Sequence, residues 1–301
     1  MQSECNISLG EDIGVVNNGG YIMEKTSELL FHYTDFVALE GILFGEGIRL
    51  CCSSEMNDDK EIKHFIEMLE KSTIKYCEIS ERAELVPLVE KLFLEQKEKR
   101  KEEVVYLTSF SEWEDDAAQW ERYGNSGYGV SIGLDLVELK KVLSSYYIMC
   151  QKVFYGRRAD EHQLIKDIFD IVVGKFPTAH GFDNADGVFD NAWGCAAAHK
   201  NPSFESEREY RMMTLPSWKG KRHDGLGEFK MVTTPSQIKK CLYFNWRIAC
   251  EDHQVPYYRL IKRIVIGPRS RQSVDGLKEW LICKGEGRLA DCVVKSESSL
   301  K

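Results

Sequence analysis

The chain reads as an α+β fold, one domain built on a mixed or antiparallel sheet with helical insertions, and three observations support this. Short apolar runs of strand character alternate irregularly with helical stripes, which argues against strict βαβ alternation around a parallel sheet. No internal repeat or low-complexity linker divides the 301 residues. With 43% hydrophobic and 29% charged residues, a chain of this length holds enough apolar material for a sizeable core. Residues 1–27 carry Gly and Asn with little periodicity and read as a loose leader, so the domain is expected from 28 to 301.

The elements follow in order. Leu29 to Tyr33 is a short apolar strand, and Asp35 caps a helix bearing Val37, Leu39, Ile42 and Leu43 that ends near Gly45 and Gly47. Ile48 to Cys52 is a second strand. A helix starting at Met56-Asn57-Asp58-Asp59 places Ile62, Phe65, Ile66 and Leu69 at i, i+3, i+4 and i+7. Another amphipathic helix covers 82–99. Val104 to Ser111 is a strand that turns polar at its end, and Asp115 and Asp116 cap a short helix with Trp120 and Tyr123. Gly124 to Gly129 makes a turn into a strand from Val130 to Leu134. A helix at 136–144, a strand at 147–154 and a helix at 160–174 come next, the last with Leu164, Ile168, Ile171 and Val172 on one stripe. Gly181 to Lys200 reads as a loop leading into a helix, and 216–228 as a basic loop. Strands are expected at 229–234, 257–260 and 263–267, a helix at 273–283 and a last strand near 289–294.

A formal net charge of -8 argues against binding nucleic acid by broad phosphate neutralisation. Arg157, Arg158, Lys219, Lys221 and Arg222 offer at most a local basic patch. The 10 cysteines include no Cys-x-x-Cys pair, so no structural zinc site is expected, and most read as small buried hydrophobes of a reducing compartment. No apolar run approaches the length of a membrane span and no signal-like segment opens the chain. A cytoplasmic protein without a membrane partner is therefore expected.

The stretch Phe204 to Met213, Phe-Glu-Ser-Glu-Arg-Glu-Tyr-Arg-Met-Met, carries the most information. As a strand it would place Glu205, Glu207, Glu209 and Arg211 on one face, with Phe204, Tyr210 and Met212 on the core face. Such charges are costly to bury unless they pair with each other or with a ligand, although a charged edge strand has the same pattern. His32-Tyr33-Thr34 ends the first strand before a capped helix, where a ligand phosphate or hydroxyl can bind; the alternative is a histidine satisfied by a backbone carbonyl. Ser109 and Ser111 set hydroxyls on alternate positions of a strand end, able to hold a carboxylate or a ribose hydroxyl. Trp120 and Tyr123, at i and i+3, form either core or a stacking platform. No Ser-His-Asp order, HExxH, Walker loop or GxGxxG is present.

Taken together, Phe-His-Tyr-Thr at 31–34, Met-Asn-Asp at 56–58 with Glu61, Leu-Thr-Ser-Phe-Ser at 107–111, Trp-Glu-Arg-Tyr-Gly at 120–124, Gly-Val-Ser-Ile-Gly-Leu at 129–134, Glu-Ser-Glu-Arg-Glu-Tyr-Arg at 205–211 and Ile-Val-Ile-Gly-Pro at 264–268 resemble the bacterial domain-of-unknown-function family 2971. That plan is in turn similar to the ADP-ribosyltransferase-like proteins, which bind NAD in a cleft between two small sheets. The resemblance implies a split-sheet cleft with NAD as substrate. His32 would then hydrogen-bond the adenosine ribose, and Ser109 or Ser111 would supply the middle motif. Tyr33 or Tyr123 would stack on nicotinamide, and Glu207 or Glu209 would bind the nicotinamide ribose. Of the two, Glu209 is the favoured catalytic residue because Tyr210 and Arg211 follow it directly. The chain mixes branches of that group, joining a histidine opening to a serine-type middle motif and a Glu-x-Glu.

The leading expectation is thus an ADP-ribosyltransferase or NAD glycohydrolase, of a kind commonly found among toxins and phage-defence effectors. The alternative is a non-catalytic nucleotide- or peptide-binding sensor that grips an anion with Arg49 and Arg211. A third, weaker reading makes Asn57, Asp58 and Glu61 metal ligands of a hydrolase or nuclease, although Asp58 reads first as a helix N-cap.

Overall fold

A computed structural model describes residues 28–53, 59–101, 104–146, 148–156, 159–175, 185–214, 226–233 and 238–300. In chain order the elements begin with β1 (Leu29–Thr34), α1 (Phe36–Phe44), β2 (Ile48–Cys52), α2 (Asp59–Ile79), α3 (Val86–Lys99), β3 (Tyr106–Ser111), α4 (Ala117–Arg122), β4 (Val130–Asp135) and α5 (Leu136–Leu143). Then follow β5 (Ile148–Lys152), β6 (Phe154–Tyr155), α6 (Ala159–Val172), α7 (Ala185–Ala197), β7 (His199–Lys200), β8 (Glu209–Thr214), β9 (Leu226–Thr233) and β10 (Ile238–Phe244). The chain closes with α8 (Trp246–Asp252), α9 (Tyr257–Leu260), β11 (Ile261–Ile266), α10 (Val274–Cys283), α11 (Gly287–Ala290) and β12 (Val293–Lys295). The leader 1–27, the Met56-Asn57-Asp58 start and the basic residues Arg157, Arg158, Lys219, Lys221 and Arg222 lie outside the described residues.

Contacts gather into two compact units within the span read from sequence as one domain. One comprises 64–102 and 157–193, and its described residues are mostly helical. Phe65, Ile66, Leu69, Val89, Phe93, Leu164, Ile168 and Phe189 are buried there, with Phe93 edge-on to Phe189 at 5.1 Å. The helical spacing of Phe65, Ile66 and Leu69 thus marks a buried stripe, as expected. Residue 82 opens no helix of its own; a 3₁₀ turn at Ala83–Leu85 precedes α3, which carries Pro87 in its first turn.

The other unit, 27–63, 103–156 and 194–301, holds a sheet that is ten-stranded among the described residues and mostly antiparallel. Its order is β12-β11-β4-β1-β3-β2-β10-β9, with β8 joined to β3 and β5 off this path. Among the described residues only β11 and β12 run parallel within it. β3 carries β8 along one edge, pairing Leu107 through Ser111 with Met213 through Glu209. Its other edge is shared: β2 takes Tyr106 and Leu107, while β1 takes Ser111. The sheet is therefore split alongside residues 108–110.

Local rules set these elements. Asp35 caps α1 by accepting from Ala38 N at 2.7 Å, Asp135 caps α5, and Ser273 caps α10. Gly47, at φ +99, turns the chain into β2 where a Cβ would lie 2.0 Å from Phe244 O, so only glycine fits. Leu30, Leu50, Phe110, Ile132, Met212, Leu242 and Ile264 form the main core on one sheet face. Phe31, Tyr33, Trp120 and Val265 form a smaller cluster on the other.

Three expectations are corrected. Residues 257–260 form a helical turn, not a strand, because Pro256, at φ -59 and ψ 132, sits as the N-cap from which a helix opens at Tyr257. The segment 289–294 divides into helix α11 and strand β12. Residues 204–207 belong to a 3₁₀ helix, Pro202–Glu207, so the glutamate strand starts only at Glu209. Asn201 caps that 3₁₀ helix, and Pro202 at its first position pre-sets the helical φ. Strand β10 and helix α8 were not foreseen.

Candidate functional site

β8 is an interior strand, hydrogen-bonded to β3 and to β5, which removes the charged-edge reading of its glutamate. Alternation along β8 places Tyr210 and Met212 in the main core and Glu209 and Arg211 on the opposite face, as expected. Ser109 pairs with Arg211 and Ser111 with Glu209 across the ladder, so all four share that face.

Glu209 and Arg211 are buried, 5% and 1% exposed, and each is satisfied by partners. Glu209 Oε1 accepts from Ser109 Oγ at 2.5 Å and from Arg211 Nε at 2.9 Å, while Oε2 accepts from Lys200 Nζ at 2.8 Å. Arg211 Nη1 donates to Ala197 O at 2.8 Å. Lys200 reaches the site from β7, whose partner β6 supplies Tyr155, and the Tyr155 hydroxyl accepts from Glu209 N at 2.9 Å.

Glu207 arrives by a different route. The 3₁₀ helix ends at Arg208 in the left-handed region (φ 43), and this reversal turns Glu207 back into the cluster. Glu207 Oε2 accepts from Lys200 Nζ at 2.6 Å and Oε1 from Arg122 Nη1 at 2.8 Å. Ser111 Oγ donates to Glu207 O at 2.9 Å and accepts from Trp113 N at 3.1 Å. Glu205, on the outer side of the turn, is exposed.

Burial raises the proton affinity of Glu209, but the adjacent Arg211 and Lys200 outweigh it and hold the carboxyl below the usual carboxylate range. Burial likewise weakens the Lys200 ammonium, and the two glutamates more than reverse this, raising it. Tyr123 is half-exposed, and burial followed by the negative Glu207 raises its phenol. The Glu209 carboxyl is therefore ionised near neutrality.

His32 occupies the split. Its Nδ1 lies 3.0 Å from Ser109 O, its ring is 5.6 Å from Phe110, and it is half-buried. By alternation His32 leaves β1 on the main-core face, with Leu30, opposite to Glu209. Ser109 is the shared neighbour, holding His32 through its carbonyl and Glu209 through its hydroxyl. Burial lowers the His32 pKa and the nearby Arg49 charge lowers it further, although the Ser109 contact works the other way. A neutral imidazole results near pH 7.

The remaining residues divide. Arg49 is exposed on β2, and Thr34 ends β1 half-buried. Tyr33 is buried, its hydroxyl donating to Trp113 O at 2.7 Å and accepting from Asp116 N at 3.1 Å. Trp120 has no exposed surface and packs edge-on to Tyr33 at 4.8 Å, so it is a core side chain and not a stacking platform. Asp116 alone caps α4; Asp115 instead accepts from Trp120 Nε1 and from Glu297 N and Ser298 N. Glu61, of the possible metal trio, lies in α2. Among the described residues no cluster of three or more His, Cys, Asp or Glu is placed to hold a metal, and no helix is long and apolar enough to cross a membrane.

Sequence reasoning missed Lys200 and Tyr155. Lys200 is an isolated lysine after a helix, and Tyr155 a lone aromatic in a two-residue strand, so neither position carries a pattern. Only the Asn201-Pro202 helix-start signal hinted that the chain would fold back over this region.

No curated protein and no solved structure matches the chain significantly. Lys200, Glu207, Glu209, Arg211, Arg122 and Tyr123 all fall in the segment that a family model recognises, while His32 and Ser109 precede it. Residues 119–212 match the family described as "Protein of unknown function (DUF2971)", the family that the motifs resembled.

Proposed function

We propose that the chain binds a nucleotide of the NAD type beside Ser109 and breaks its nicotinamide–ribose bond, passing ADP-ribose to an acceptor or to water. The observation that supports this most is the double engagement of Ser109, which joins an uncharged histidine to an ionised glutamate within one strand position. In the reaction the C1′–N bond breaks, and its electron pair leaves with nicotinamide. The oxygen of water or acceptor then bonds to C1′ and releases its proton. Positive charge builds on the ribose between these events, and Glu209 stabilises it electrostatically. Its depressed pKa and filled hydrogen-bond positions suit that role better than proton abstraction. His32 would take a ribose hydroxyl, and Arg122 a phosphate. On this reading the protein works in the cytoplasm as a toxin or phage-defence effector.

The test is nicotinamide release by wild type and Glu209→Gln. The expected result is turnover that the variant loses by about 10²–10³-fold, the scale of one preorganised electrostatic contact. No release by wild type above the uncatalysed rate rejects the reaction.

A second reading has its own support: binding without turnover. Three cations, Lys200, Arg211 and Arg122, gather at Glu207 and Glu209, and the Arg122 side chain is half-exposed, where it can meet an anion. It predicts saturable nucleotide binding with no product, and an affinity that Glu209→Gln leaves nearly unchanged.

A further inference from the structure

We infer that Cys51 and Cys241 form a reversible redox site whose substrate is a small disulfide such as oxidised glutathione. The two residues are direct Cα partners on antiparallel β2 and β10, and their sulfurs lie 3.6 Å apart without a covalent bond. Opposed residues of an antiparallel pair have Cα atoms about 4.5–5.5 Å apart, whichever hydrogen-bonding class they fall in. That range lies within the roughly 4.4–6.8 Å that a disulfide spans, so side-chain rotation alone closes the gap. The inference does not depend on the nucleotide reading.

Exposure sets the order of events. Cys51 is half-buried, whereas Cys241 has no accessible surface. Cys51 loses its proton, and the thiolate attacks one sulfur of the glutathione disulfide. That S–S bond breaks, one glutathione leaves as thiolate and takes up the proton, and a mixed disulfide remains on Cys51. Cys241 then loses its proton, its thiolate attacks Cys51 Sγ as the mixed S–S bond breaks, and the second glutathione leaves as thiolate and takes up that proton. Two protein thiols are oxidised by two electrons in total, and one glutathione disulfide is reduced to two thiols.

The bond forms on the face of the candidate site. Cys51 lies opposite Leu107 of β3, two positions before Ser109, and follows Arg49 by two positions on β2. Cys52, by contrast, points into the main core. Oxidation therefore ties the strand carrying Arg49 to β10 and leaves the core thiol untouched.

The experiment equilibrates the full chain in glutathione buffers from fully reduced to fully oxidised. The samples are quenched with acid, alkylated and mapped by proteolysis and mass spectrometry. The expected product is a peptide pair linked through Cys51 and Cys241 that grows with the oxidised fraction and disappears with dithiothreitol. Cys52→Ser retains it; Cys51→Ser and Cys241→Ser lose it. The wild-type map decides the matter even where a variant fails to fold. A stable glutathione adduct on Cys51 alone, a link from Cys51 to another cysteine, or full alkylation of both residues at every ratio overturns the inference.

Discussion

Among the described residues, two buried arginines have similar partners and different settings. Arg100, in the helical unit, is 4% exposed; it donates to Asp186 O at 2.9 Å and to Asp190 Oδ1 at 2.6 Å, and lies over the Trp193 ring at 5.4 Å. Arg211, in the sheet unit, is 1% exposed and holds Glu209 and Ala197 O. The Arg100 network ties helix ends together within α3 and α7. The Arg211 network instead runs through Glu209 to half-buried Ser109, and through Lys200 and Glu207 to half-exposed Arg122. Burial of a paired charge and an exposed outer end are thus common to both, and the second differs in ending at Ser109, whose carbonyl also meets His32. A buried ion pair becomes a site candidate through what lies at its open end.

The largest effects should come from removing each arginine. Arg211→Ala removes one of the two cations that hold buried Glu209 and leaves Lys200 alone to pair with it, so a loss of about 3–5 kcal/mol is expected in urea melts. Arg100→Ala should cost less, about 3 kcal/mol at most, because Asp190 remains partly solvated. NAD binding should survive the second change in whatever fraction stays folded. Equal losses in both would erase the distinction.

Acid comes next. The Glu209 pKa is depressed on folding, so its contribution is fully present above the unfolded carboxyl value and is lost as pH falls through the folded value. Asp186 is also depressed, chiefly by its hydrogen bond to Lys99, but both groups are about half-exposed there. Glu209→Gln should therefore flatten the stability profile below about pH 4, and Asp186→Asn should barely change it. Unfolding followed from pH 6 to pH 2 reads both; the reverse ranking would show that the exposed pair governs the acid limb.

Ser109→Ala removes one hydrogen bond to a charged group, worth about 1.5–3 kcal/mol at most, with Arg211 and Lys200 still holding Glu209. The informative readout is affinity: a drop in NAD binding beyond the stability loss marks Ser109 as a ligand contact. The smallest effect is expected for Arg208→Gly. Glycine relieves the left-handed backbone while losing the guanidinium stacked 4.4 Å over Trp113, so thermal stability should move by less than about 1 kcal/mol. A large loss would mean that the turn presenting Glu207 depends on that stack.

Legibility followed the reach of the local rules. Phe65, Ile66 and Leu69, or Asp35 before α1, disclose their structure because spacing and capping act within one turn. Alternation from Glu209 to Met212 was likewise readable, since it expresses one strand's two faces. The same rule misled two residues earlier. Glu205 and Glu207 alternate in sequence, yet Pro202 and the Arg208 reversal decide their geometry, and Glu207 joins Glu209 by turning back rather than by strand period. Tyr257 to Leu260 failed for a related reason, because two tyrosines and a leucine favour a strand until Pro256 opens a helical turn. Lys200 and Tyr155 were illegible, since their role arises only from the pairing of β6 with β7 beside β8.

The most direct measurement is titration calorimetry of the full wild-type chain with NAD up to millimolar concentration. A saturable isotherm, weakened in Ser109→Ala and unchanged in folded Arg100→Ala, is the predicted result. Absence of binding at millimolar NAD would contradict the account, leaving the Glu209 network a structural clasp like that of Arg100.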